Sequence, residues 1–156
     1  MNKLNKTTIL AMHSLFNPVL VGAVVTRSDD KNKLTVRAIN EDVLYKSKNL
    51  GVYWYETSDD ILKIGKVETK LATKKRDGTF GRGGSSGRIS GTFSDYTTKS
   101  TDERTKELLY EAAKNNDCKI YFIPANNIKP AKLELSAIVA FEWGTQRRPV
   151  GNPHRA

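Results

Sequence analysis

Residues 51–66 read GVYWYETSDDILKIGK, two short runs of strand composition around the polar segment TSDD. The first run is Val and aromatic side chains; the second is Ile and Leu interrupted by Lys and Gly, and both compositions favour extended backbone. The segment between them suits a tight turn, so the pair predicts a hairpin at the centre of a sheet. Strand alternation sets Tyr53 and Tyr55 on one face of the first strand, and Lys63 and Gly65 on one face of the second. Hydroxyls and an ammonium then share a surface.

Upstream, residues 1–18 carry Ile9, Met12, Leu15 and Phe16 at helical spacing, with Pro18 as the stop. Residues 19–26 and 34–39 are rich in β-branched side chains and flank the polar stretch SDDKNK, which predicts a second hairpin. Downstream, residues 66–99 are basic and glycine-rich, including DGTFGRGGSSGRISG, and read mostly as loop. Ser100 or Thr101 is expected to cap a helix, because Ser100 and Glu103 form a capping-box pattern ahead of Leu108, Leu109, Ala112 and Ala113. CKIYFIP (118–124) has strand composition, NNIKP breaks it, and residues 132–146 form a second helix before the basic tail RRPVGNPH. The expected fold is α+β, a small central β-sheet flanked by helices with a β-rich extension at the N-terminus. The expected divisions are an arm and extension over 1–49, a main domain over 50–152 and a tail over 153–156.

The 156 residues suit one compact domain. With 38% hydrophobic and 28% charged residues the composition is that of a globular chain, which excludes a wholly disordered one. The 26 Lys and Arg against 17 Asp and Glu leave a net charge of +9, which draws the protein toward polyanions and makes nucleic acid the leading partner. Cys118 is the single cysteine, so disulfide frameworks, cysteine zinc sites and CxxC redox pairs are excluded, and its place in an apolar strand suggests a small buried hydrophobe. No apolar run is long enough to span a bilayer and no export signal is legible, so the expectation is a cytoplasmic protein without a membrane partner. His13 and His154 lack ligand spacing and receive no role.

Several residues can carry chemistry. Glu134 opens the last helix in line with Ile138 and Phe141, an unusual place for a carboxylate. It can simply favour the positive end of the helix dipole, or it can be a hard oxygen ligand for Mg²⁺, which often takes only one or two protein carboxylates. Glu142 is the weaker candidate. Lys63 and Lys66 can be solvated edge residues, yet a lysine within ILKIG has a movable pKa suited to proton transfer or to stabilising an oxyanion. The glycine-rich segment is not a Walker loop, and it can be flexible or can contact phosphates.

The order of these parts resembles the GIY-YIG nuclease superfamily. GVY at 51–53 matches the first signature and KIG at 63–65 the second, with lysine in place of tyrosine. An arginine-bearing segment, a helix, a strand and a helix with an early Glu follow, and RPVGN (148–152) is similar to the Pro and Asn that close the domain in several members. The likeness spans roughly residues 50–152 and is nearest to the small restriction endonucleases and phage DNA-degrading endonucleases. It implies a metal-dependent DNA endonuclease in which Tyr53 positions or deprotonates the attacking water with help from Lys66. Lys63 stands near the attacked phosphate, Glu134 holds one Mg²⁺ or Mn²⁺, and Asn152 supports the site. It also implies an arginine that neutralises the phosphoryl oxygens. Arg88 in GRISG is the choice, with Arg76 and Arg82 as alternatives. Lys70, Lys74, Lys75, Arg76, Arg82 and Lys99 are the expected contacts to double-stranded DNA, and a homo-oligomer is compatible with this class. The competing expectation is a non-catalytic nucleic-acid-binding module on the same fold, gripping phosphates with its basic loop and stacking bases on aromatics.

Overall fold

The computed structural model describes residues 3–68, 73–74, 80–81 and 101–153. The elements run α1 (Lys3–Phe16), β1 (Val19–Thr26), a 3-10 turn (Lys31–Lys33), β2 (Leu34–Ala38), α2 (Glu41–Ser47), β3 (Gly51–Glu56) and β4 (Ile61–Val67). Then come β5 (Thr73–Lys74), β6 (Phe80–Gly81), α3 (Glu103–Lys114), β7 (Lys119–Pro124) and α4 (Pro130–Thr145). Strands β2-β1-β7-β3-β4 form one antiparallel sheet, and β5 and β6 pair separately. The expected α+β class and both hairpins are present. The N-terminal hairpin joins the same sheet, because β1 pairs with β7.

β3 lies between β4 and β7, and its two faces are covered by different helix layers, which explains why GVYWY is apolar throughout instead of alternating. On one face Tyr53 and Tyr55 pack with Leu44 of α2, Leu109 and Ala113 of α3, and Ile120 and Phe122 of β7. On the other, Val52, Trp54, Ile61 and Ile64 pack with Ile9 and Met12 of α1 and with Ala137, Ile138 and Phe141 of α4. Tyr53, Trp54 and Tyr55 are among the largest fully buried side chains. At about 1.5–3 kcal/mol per large apolar side chain buried, these layers hold the hairpin in place. Cys118 is buried as expected, and burial pushes its thiol up to about 12.

Local sequence explains the helix ends. Asn17 takes a left-handed conformation (φ 50°) and donates to the His13 carbonyl, closing α1 just before Pro18. The cap of α3 is Asp102, not Ser100 or Thr101: its carboxylate accepts from the Thr105 backbone N–H at 2.7 Å, and that bond holds its pKa below the usual carboxylate value. Thr101 is instead buried and accepts a hydrogen bond from Lys63. α2 has no counterpart in the expected elements. It is seven residues long and buries only Leu44, too little for a periodic pattern.

β4 is the last strand of the sheet, and the C-terminal tail lies along its outer edge. The Gly151 N–H donates to the Leu62 carbonyl at 2.7 Å. The Asn152 side chain then binds both polar groups of Ile64, Nδ2 to the carbonyl and Oδ1 from the N–H, each at 2.7 Å. An amide side chain thus stands in for a neighbouring strand and protects the edge.

Candidate active site

The register of β3 and β4 sets Tyr53 opposite Gly65 and Tyr55 opposite Lys63. Directly opposed residues of an antiparallel pair share a face, so these four lie together as the alternation predicted. A β-carbon at Gly65 would overlap Cζ and the hydroxyl of Tyr53. The glycine of KIG is therefore the gap into which the Tyr53 phenol fits. Tyr53 is 1% exposed, and its ring meets Tyr55 edge-on at 5.6 Å between centroids.

The Lys63 ammonium lies 5.9 Å from the centre of the Tyr53 ring and donates to the Thr101 hydroxyl at 3.3 Å. Burial pulls its pKa below the usual lysine value, against the opposing pull of Asp102 and Glu134. Asp102 caps α3 on the tyrosine face, whereas Glu134 belongs to α4 on the other. Lys63 feels both because β4 is an edge strand, around which groups from the two layers approach each other.

Glu134 is half-buried in α4, with Ile138 and Phe141 buried below it on the same side of the helix. Burial raises its carboxyl pKa; Lys66 is the strongest influence in the opposite sense, Glu68 adds to the rise, and Lys63 and Arg148 oppose it. A half-buried carboxylate thus lies within electrostatic reach of three cations and of a second carboxylate, Glu68.

The expected partnership of Tyr53 with Lys66 does not form directly. Lys66 pairs with Val52 and so alternates onto the face opposite Tyr53, where its ammonium is ion-paired with Glu68 and acts on Glu134. The Lys63 ammonium, by contrast, lies over the Tyr53 ring. The Asn152 side chain is engaged by the backbone of Ile64, in the strand that carries Lys63 and Gly65. Glu142 lies 4.0 Å from Arg148.

Arg148 escaped the sequence reading. Its Nε donates to the Asn152 carbonyl at 2.7 Å and its charge reaches Glu134. The tail RRPVGN was the available signal, but only the return of the tail along β4 brings it here. His13 also has a partner that its isolation in the sequence concealed: Nε2 lies 2.7 Å from Glu56, which accepts from the Trp54 indole at 3.0 Å. Lys70, Lys75, Arg76, Arg82, Arg88 and Lys99 lie outside the described residues. Lys74 is described only as part of β5.

Among the described residues there is no group of three or more His, Cys, Asp or Glu side chains able to hold a metal ion. The single carboxylate of Glu134 fits a different kind of metal site, that of a Mg²⁺ or Mn²⁺ ion drawing its remaining ligands from water and phosphate. The cations around it suit a phosphate arriving alongside. No helix among the described residues is long and apolar enough to cross a membrane. Comparison with family models, with curated proteins and with solved structures gives no match.

Proposed function

We propose that the protein is a metal-dependent endonuclease of the GIY-YIG type that hydrolyses DNA phosphodiester bonds, restriction-like or DNA-degrading. The observation that carries this reading is the seating of the Tyr53 phenol on Gly65, with Lys63 beside it and the half-buried Glu134 within electrostatic reach. That arrangement gathers a hydroxyl, an ammonium and a carboxylate around one strand edge.

In this reading Tyr53 first loses its phenolic proton to solvent, and the phenolate then orients the attacking water and accepts the proton that the water gives up. Lys63 faces the phosphate under attack, and its ammonium offsets charge building on the phosphoryl oxygens. Glu134 holds the divalent ion, which when bound supplies Lewis-acid stabilisation of the leaving oxygen. Lys66 and Arg148 oppose the rise that burial causes in the Glu134 carboxyl pKa. Arg88, or Arg76 or Arg82, neutralises the phosphoryl group, and the lysines of the 70–99 segment grip the backbone of duplex DNA.

The burial of Tyr53 favours a second reading, a nucleic-acid-binding module without catalysis, since a general base must reach its water. One experiment separates the two. Purified protein is incubated with plasmid and genomic DNA with and without Mg²⁺, and any product ends are mapped. Discrete fragments mark a restriction-like enzyme and a smear a degradative one. Intact DNA together with a gel shift would leave only the binding module.

A further inference from the structure

We propose that the outer face of α1 and α4 is a homodimer interface, whose partner is a second copy of this chain. The proposal does not depend on the nuclease reading.

Helix α4 is apolar on two sides. Its inner side buries Ala137, Ile138 and Phe141 against the sheet. Its outer side carries Leu135, Val139 and Trp143 at successive four-residue steps, 60%, 48% and 77% exposed. Lys132 and Ser136 are exposed on α4 as well, yet a row of three large apolar side chains is more than the single exposed Leu that is ordinary on a surface. Thr8 lies against Gly144 while Leu15 shares a cleft with Leu133 and Ser136, so α1 runs antiparallel beside α4. Leu15, 71% exposed, extends the stripe onto α1.

The relief of this face suits a copy of itself. Between the helices runs a groove of about 360 Å³, walled by Thr7, Ala11, Leu15, Ala140, Trp143 and Gly144. Beside it stands the exposed indole of Trp143. A two-fold axis gives each copy both a projecting aromatic ring and an apolar groove to receive one, the self-complementarity that an isologous interface requires. A bilayer presents no such contour.

The area suffices. Helices of 14 and 16 residues are roughly 21 and 24 Å long at about 1.5 Å per residue. Packed about 8–10 Å apart, they present an outline roughly 20 Å wide, or about 450 Å² per copy. The accessible area of a corrugated face exceeds its outline, so two copies reach the roughly 1,000 Å² that a specific interface needs. The net charge of +9 on each chain opposes association, so added salt should tighten this dimer while it weakens binding to a polyanion.

The test is analytical ultracentrifugation of the full chain at micromolar concentration in low and high salt, with vesicles of anionic phospholipid as a parallel arm. We expect wild type to sediment at twice the chain mass, with a smaller dissociation constant in high salt. Trp143→Glu and Val139→Glu should each raise that constant by about 30-fold or more, the effect of losing a contact worth about 2 kcal/mol. Both should keep the wild-type far-ultraviolet circular dichroism, since these side chains face outward. Leu10→Glu removes an equally exposed leucine, 72%, that lines a different cleft with Glu56 and Asp117, and it should leave the dimer unchanged. A monomer at every concentration overturns the proposal, and co-sedimentation of that monomer with vesicles would assign the face to a membrane surface instead. Dimerisation of both Glu variants at wild-type strength overturns it equally.

Discussion

Tyr53 and Gly65 face each other across the β3–β4 pair, and the phenol of Tyr53 occupies the space that a side chain at Gly65 would fill. Both residues therefore belong to one device. Gly65→Ala drives a methyl group into a fully buried aromatic ring and should cost about 1–3 kcal/mol of stability, as overpacking of a tight core does. Under the proposed function it should also abolish most cleavage by moving the hydroxyl, and Tyr53→Phe should do so without the stability loss of the glycine variant. Urea denaturation read beside a plasmid-nicking assay separates the two effects. Wild-type nicking by Tyr53→Phe would remove Tyr53 from the chemistry.

Lys63 gives a prediction whose sign can be worked out. Its pKa in the folded protein is lowered, so over the window between that value and the ordinary lysine value the unfolded chain binds more protons than the folded one. Stability should then rise with pH through this window, and the cost of burying the ammonium is present at neutral pH. Lys63→Met should be at least as stable as wild type near neutrality, with the difference shrinking as pH approaches about 10. The same variant should lose most nuclease activity. Urea midpoints across this pH range, paired with cleavage rates, test both halves; a variant much less stable than wild type at neutral pH refutes the first.

For Glu134 the sign is opposite. A raised carboxyl pKa means that the folded state holds its proton longer than the unfolded state, so stability falls as pH rises through the window above the ordinary carboxylate value. Glu134→Gln removes the ionised form. It should abolish Mg²⁺-dependent cleavage, retain DNA binding in a gel shift, and match or exceed wild-type stability at about pH 7, an advantage that fades toward about pH 4. Cleavage at the wild-type rate would exclude Glu134 as the metal ligand and direct attention to Glu142.

The Asn152 amide replaces a strand on the edge of β4. Asn152→Asp loses the donor to the Ile64 carbonyl and sets a carboxylate oxygen against it, while Asn152→Ala leaves both backbone groups without this partner. Each should cost about 1–3 kcal/mol, with Asp the worse of the two near neutral pH. Amide hydrogen exchange at Ile64 should quicken in both. Unchanged protection there would show that the clamp contributes little to holding Lys63 and Gly65.

Affinity for DNA should fall steeply with salt, because each phosphate neutralised by Lys or Arg releases condensed counterions, giving a slope of about −0.9 per contact on a log–log plot. Filter binding over a salt series measures it. A binding constant flat between low and moderate salt would contradict a basic DNA-binding surface.

The sequence by itself determined the β3–β4 hairpin, the N-terminal hairpin, β7 and the helices α1, α3 and α4, because each carries its own periodicity, turn residues or breaker. It also set Tyr53, Tyr55, Lys63 and Gly65 on one face, since alternation is a local rule, and it singled out Glu134 as a carboxylate in line with buried residues. It could not reveal α2, whose one buried leucine leaves no periodic trace, nor the capping by Asp102, since Ser100, Thr101 and Asp102 are all residue types that cap helices. Only the tertiary structure decided that Lys66 emerges on the sheet face opposite Tyr53, that Lys63 feels acids from two layers, and that Arg148 and Asn152 return to β4. Those relationships join residues 39 to 88 positions apart, or turn on which side of an edge strand a side chain emerges. Strand order and the path of the tail set them, and both come from burying two separate apolar faces of one sheet.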